Sequence, residues 1–146
     1  IHEPEVLILD EPTTGVDPVS RREFWRILRD LAGRGLAVLA STPYMDEAAR
    51  CDEVVLVHEG RALAAGAPAA VTAAFPRRLL EARGPDVAEA SARVRGHRYG
   101  DRLRVACDDD AEAAALRARL ADLDVTVAAA APTIEDVFVA LVEGAS

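Results

Sequence analysis

The stretch Val6-Leu7-Ile8-Leu9-Asp10-Glu11-Pro12 decides how this chain is read. Glu5 to Leu9 is a short apolar run that breaks off into two adjacent carboxylates and a proline. Runs of this kind are the pattern of central strands in parallel sheets, covered on both faces. Such a strand delivers its last residue to the carboxyl edge of the sheet, where open α/β sheets bind ligands. There Asp10 offers a hard oxygen to a hydrated Mg²⁺. Glu11, one residue on, stands where it can polarise an attacking water. An ordinary strand followed by an acidic turn reads the same way up to this point. The pattern starts directly after Ile1-His2-Glu3-Pro4, with no helix or cap before it, so the other half of the domain is expected upstream.

Moving outward, Thr13 to Gly15 read as a loop, and Asp17-Pro18 open a helix with Asp as N-cap and Pro at the first helical position. Phe24, Ile27, Leu28 and Leu31 share one face of that helix, and Gly33 and Gly35 mark its end. Leu36 to Ser41 is a second buried strand. Thr42-Pro43 starts a short helix that runs through Ala49. Val54 to Val57 and Ala62 to Ala65 flank the turn Glu59-Gly60-Arg61 as two further strands, and Ala69 to Phe75 read as a short helix. Strand and helix alternate as in an α/β layer with right-handed crossovers.

Pro76, followed by two arginines, reads as a boundary. Beyond it the expected elements are a strand at Leu79 to Arg83, a helix at Asp86 to Val94, a hairpin of His97 to Tyr99 with Leu103 to Cys107, a helix at Ala111 to Leu123 and a strand at Val125 to Ala129. That is β-α-β-β-α-β, the ferredoxin-like order. Pro132-Thr133 then introduce a closing helix whose apolar face is Ile134, Val137, Phe138 and Leu141. Thr133 and Asp136 have the spacing of a capping box.

Composition narrows the function. The chain has 146 residues, enough for one compact domain or two very small ones. Its 51% hydrophobic content supports a core, and with only 4% aromatics that core must be built mainly from Leu, Val, Ile and Ala. The net charge of −8 repels phosphate backbones and argues against a nucleic-acid partner. All 17 basic residues are arginine. Cys51 and Cys107 lack metal-ligand spacing and read as free thiols; His2, His58 and His97 are scattered and form no ligand set. No apolar run approaches the roughly 20 residues that span a bilayer, so work at a membrane would go through a partner.

The motifs between residues 1 and about 75 resemble those of the ATP-binding cassette (ABC) ATPases. Ile8 to Pro12 match the Walker B motif. Thr14-Gly15-Val16-Asp17-Pro18 resembles the D-loop, written SGLDP in the family. Ser41 to Cys51 (STPYMDEAARC) resembles the switch-loop segment, and Val55 to Gly66 the hairpin after it. The resemblance implies ATP and Mg²⁺ as cofactors, with Asp10 holding the metal through water and Glu11 as the general base. Asp17 would cross to a second cassette and couple two ATP sites, although its role as an N-cap needs no such function. Position 43 departs from the family, which places a histidine against the γ-phosphate there. Pro43 has no donor on side chain or backbone, so the site is expected to hydrolyse slowly or not at all; a proline also suits a first helical turn, with Asp46 and Glu47 favourably placed near its N-terminus.

The family's phosphate loop, GxxxxGK followed by Ser or Thr, needs a lysine that this sequence lacks, and no signature motif is visible. The closing segment Pro132 to Val142 (PTIEDVFVALV) is similar to the accessory domain of daunorubicin-resistance-type exporters. A part in dimer contact or regulation and a packing appendage are equally open for that domain.

The fold expected from all this is α/β. Residues 1–75 would be the C-terminal part of a P-loop ATPase layer, and residues 76–146 a small ferredoxin-like domain with its closing helix. The implied function is the ATP-binding, ATP-hydrolysing subunit of a bacterial ABC exporter, cytoplasmic and peripheral on the inner face of the cell membrane. Its implied partners are a membrane-spanning permease and a second cassette. A degenerate, non-catalytic cassette half and a non-transport ABC ATPase are the rival readings.

Overall fold

A computed structural model describes residues 4–144. The expectation drawn from Ile1 to Glu3, and His2 with it, falls outside them. The described chain is mixed α/β and divides into two units. One is formed by the described residues of Ile1–Val71 and Ile134–Ser146, the other by Thr72–Thr133.

In the first unit, β1 (Val6–Asp10) pairs in parallel with β2 (Ala37–Ser41), in the register Val6↔Ala37 to Asp10↔Ser41. The crossover between them is α1 (Pro18–Ala32), which supplies the long connection that parallel pairing requires. β3 (Val54–His58) and β4 (Arg61–Gly66) form a separate antiparallel hairpin with an irregularity at Leu56/Val57. The short helix α2 (Met45–Ala48) and α6 (Ile134–Gly144) complete this unit, and α3 (Pro68–Ala73) crosses the division. α6 packs against α2, and the Phe138 ring meets His58 edge-on at 6.0 Å. The closing helix, expected with residues 76–133, thus groups with residues 4–71, through its contacts with α2 and the Phe138 ring on His58.

Two further expectations change. β1 and β2 have the composition of buried central strands, yet Ile8 is 73% and Leu39 64% exposed. In the described residues these strands pair only with each other, so alternate side chains face outward while Leu7, Leu9, Val38 and Ala40 are half-buried. The buried stripe of α1 is also rotated from the expected one: Trp25 and Leu28 point inward, while Ile27 and Leu31 are exposed. The indole is the largest apolar group on the helix and takes the inward position.

The second unit is a four-stranded sheet in the order β6-β7-β5-β8, every neighbour antiparallel. Its strands are β5 (Arg78–Arg83), β6 (His97–Tyr99), β7 (Arg102–Cys107) and β8 (Thr126–Ala129), with α4 (Val87–Arg93) and α5 (Asp110–Arg119) between them. The element order is the β-α-β-β-α-β read from the sequence. α5 is shorter than expected at its C-terminal end and is capped by Asp109, whose side chain accepts from the Glu112 amide at 2.8 Å.

Alternation along the strands puts Leu80, Ala82, Leu103, Val105 and Cys107 on one face, where Val87, Ala90, Ala113, Leu116 and Leu120 cover them. Gly84, at the end of β5, is required sterically: a Cβ there would lie 2.1 Å from the Asp124 carbonyl oxygen, which is backbone and cannot move aside. No helix of the described residues is long and apolar enough to cross a membrane.

Leu103 is wholly buried at the centre of the four-stranded sheet. Leu103→Ala should destabilise the second unit by about 2–5 kcal/mol, and Leu103→Met by under about 1.5 kcal/mol. Urea unfolding followed by circular dichroism measures both, and equal small losses would show that the cluster tolerates a cavity.

Candidate functional site

The parallel register brings the ends of β1 and β2 side by side. Asp10, the last residue of β1, lies opposite Ser41, the last of β2. The Ser41 hydroxyl donates to Asp10 Oδ1. The same hydroxyl oxygen accepts from the Glu11 amide at 3.0 Å, and the Ser41 carbonyl accepts from that amide at 3.1 Å. Ser41 therefore ties down both carboxylate residues through one side chain and one carbonyl.

Glu11 has φ 44°, in the left-handed region where a residue with a Cβ is strained. Such conformations persist only where the surroundings over-determine them. Here the two bonds to its amide, and the Thr14 amide donating to its carbonyl at 3.1 Å, do so. The turn reverses the chain directly after the strand and leaves both Asp10 and Glu11 exposed. Thr14 Oγ1 donates to Glu11 Oε2 at 3.0 Å and fixes the direction of the carboxylate. Gly15 follows with φ 78°, a position suited to glycine.

Asp17 lies apart from this cluster. Its carboxylate accepts from the Val19 and Ser20 amides at 2.9 and 3.1 Å and caps α1 as expected. The Ser20 side chain, then the Ser20 and Val19 amides, hold its carboxyl below the usual aspartate range. The cap is thus in place above that range and fades as the pH falls through the lowered value.

Pro43 is two residues beyond Ser41, exposed, in the loop before α2. It was expected inside the first helical turn, but α2 begins at Met45 with Tyr44 as the preceding cap residue. Asp46 and Glu47 do sit in the first turn, with different fates. Asp46 is exposed and pairs with Arg21 at 3.1 Å, whereas Glu47 turns inward. It accepts from Thr13 Oγ1 at 2.7 Å and from Thr42 Oγ1 at 2.5 Å.

The sequence reading missed Ser41, Thr13, Thr42 and Glu47 as parts of the site. Ser41 had a usable signal, since it ends an apolar run parallel to the one that Asp10 ends. The partners of Glu47 come from three segments and leave no local pattern.

Oxygen donors dominate the β1/β2 end: the Asp10 and Glu11 carboxylates and the Ser41 hydroxyl. Among the described residues, no group of three or more His, Cys, Asp and Glu is placed to hold a metal. Such a sparse oxygen set cannot enclose an ion, but it fits a Mg²⁺ that keeps most of its water and takes its remaining ligands from phosphates. Cys51 and Cys107 are free thiols, and burial raises both above the ordinary thiol range.

No family model matches the chain. Among curated proteins, the chain is similar to the probable multidrug ABC transporter ATP-binding protein YbhF of Escherichia coli (strain K12). The two are 53% identical over 72 residues, which is 49% of this chain and 12% of that protein. It is also 44% identical over 90 residues to Nod factor export ATP-binding protein I of Burkholderia orbicola (strain AU 1054), covering 60% of this chain and 30% of that protein. The protein of the same name from Paraburkholderia xenovorans (strain LB400) is 44% identical over 88 residues, or 59% of this chain and 29% of its own length. The chain thus spans between about an eighth and a third of the length of these relatives. Over about half of its own length, this chain is similar to a probable multidrug ABC transporter ATP-binding protein and to Nod factor export ATP-binding proteins.

Proposed function

We propose that this chain supplies the Walker B, D-loop and switch portion of the ATP-hydrolysing subunit of an ABC exporter. The observation that carries the reading is the joined end of β1 and β2, where Asp10 and a backbone-constrained Glu11 stand together on Ser41. The relatives named for multidrug transport and Nod factor export support the exporter class. On this reading residues up to about 75 belong to the C-terminal part of a P-loop ATPase layer, and the four-stranded unit is a ferredoxin-like accessory domain. ATP and Mg²⁺ are the cofactors. The partners are a membrane-spanning permease and a second cassette. The protein works from the cytoplasm, peripheral on the inner face of the membrane.

The family resemblance suggests a division of labour that the local hydrogen bonds support. Asp10, oriented by the Ser41 hydroxyl, would hold Mg²⁺ through water, and the ion, when bound, would neutralise charge on the phosphates. Glu11, aimed by Thr14 and fixed by its bonded amide, accepts a proton from the attacking water. Asp17 holds the start of α1 and faces the second cassette. Pro43 occupies the switch position without a donor, so γ-phosphate contact from this loop is lost and turnover is slow.

In the full-length protein, Glu11→Gln should leave ATP binding intact and lower turnover by about 100-fold or more, the usual worth of a positioned general base. Unchanged turnover would remove Glu11 from that role. Pro43→His should raise turnover by about tenfold or more; a rate equal to the parent's would mean that the site is not limited at this position and would sink the degenerate-switch reading. The 146-residue chain by itself lacks a lysine for a phosphate loop, so calorimetric titration with Mg-ATP should show no saturable binding. Micromolar binding would overturn this assignment of the nucleotide-binding groups.

A further inference from the structure

Glu47 joins three segments around the candidate site and has no role in the function proposed above. Glu47 and Thr13 are each 1% exposed. A carboxylate that far from water is strongly disfavoured unless it is paired and hydrogen-bonded. Here each oxygen has its own hydroxyl donor: Oε1 accepts from Thr13 and Oε2 from Thr42. The countercharge is Arg21, whose Nε lies 3.5 Å from Oε1. Arg21 in turn pairs with Asp46 and lies over the Tyr44 ring at 4.7 Å. Thr42 Oγ1, while donating to Glu47, accepts from the Tyr44 amide at 3.1 Å.

These partners belong to three separate stretches. Thr13 is two residues beyond Glu11, within the turn that points the general base. Thr42 directly precedes Pro43. Arg21 is on the first turns of α1, the helix that Asp17 caps. Any displacement of the Glu11 turn changes the Thr13 bond, and any displacement of the switch loop changes the Thr42 bond. Because both bonds end on one buried carboxylate, neither loop can move without cost to the other.

We infer that Glu47 is a positioning residue that couples the Glu11 turn to the Pro43 loop, so that the two adopt their working arrangement together. Its consequence for turnover rests on the ATPase reading, but the coupling itself is a property of this chain and needs no nucleotide.

The test uses Thr13→Val and Thr42→Val, which keep side-chain shape and remove one hydroxyl each. Hydrogen exchange of single amides in the full-length protein, without nucleotide, is the first readout. Thr13→Val should speed exchange at Tyr44 and Glu47 roughly tenfold, and Thr42→Val should do the same at Thr14 and Val16, the effect of one lost buried hydrogen bond on local opening. If each variant disturbs only its own loop, the coupling is refuted. The second readout is kinetic, in the full-length protein, where each variant should lower kcat with KM for ATP unchanged. An active parent whose variants match it in kcat overturns the positioning role, whatever the exchange data show. A parent without Mg-dependent ATPase activity, combined with the cross-loop exchange effect, supports the coupling and removes the ATPase reading instead.

Discussion

The parallel pairing of β1 with β2 is the constraint on which the candidate site rests. In that register Asp10 and Ser41 are direct partners. A slip of one residue would exchange the faces of every side chain on the strand and would separate Ser41 from Asp10. With the register fixed, the Ser41 carbonyl and hydroxyl both meet the Glu11 amide, and that amide is held while its residue adopts a backbone conformation unusual for glutamate. The strain is local, and the hydrogen bonds that offset it come from Ser41 on the neighbouring strand and from the Thr14 amide in the turn.

A second layer of control lies behind the first. The turn that follows Asp10 is fixed from the front by Thr14 and from behind by Thr13, and these adjacent threonines serve different carboxylates: Thr14 that of Glu11, Thr13 that of Glu47. Glu11 is exposed and Glu47 buried. The exposed group can meet substrate water, and the buried one can act only through its neighbours. The contrast between Asp46 and Glu47 follows the same logic. Adjacent acidic residues on α2 point in different directions, so Asp46 forms a solvent-exposed ion pair worth little, while Glu47 requires its full set of partners.

The two units hold their structure by different means. In the four-stranded unit, both helices lie over one face of an antiparallel sheet, and small and branched apolar residues close the core from Leu80 to Leu120. In the other unit, the parallel pair and the hairpin each keep an apolar face exposed, at Ile8 and Leu39 and at Val55 and Val57. Parallel strands ordinarily have both faces covered, whereas among the described residues Ile8 on β1 and Leu39 on β2 stand exposed.

The element types and their order were legible in the local pattern of residues. Apolar runs of five or six residues, an Asp-Pro helix start and alternating strands are local signals, set by backbone sterics and side-chain periodicity over a few positions. The candidate carboxylates Asp10 and Glu11 were legible for the same reason, since a strand that ends in two acids is visible in one line of text. The fold in three dimensions sets which strand lies beside which, that Trp25 rather than Ile27 turns inward, that α6 packs with the first unit, and that Ser41 and Glu47 join the site. Most of those outcomes depend on contacts between residues far apart in the chain, such as Asp10 with Ser41 and Thr13 with Glu47, where pairing is chosen by packing and hydrogen-bond satisfaction and not by any pattern the neighbouring residues carry.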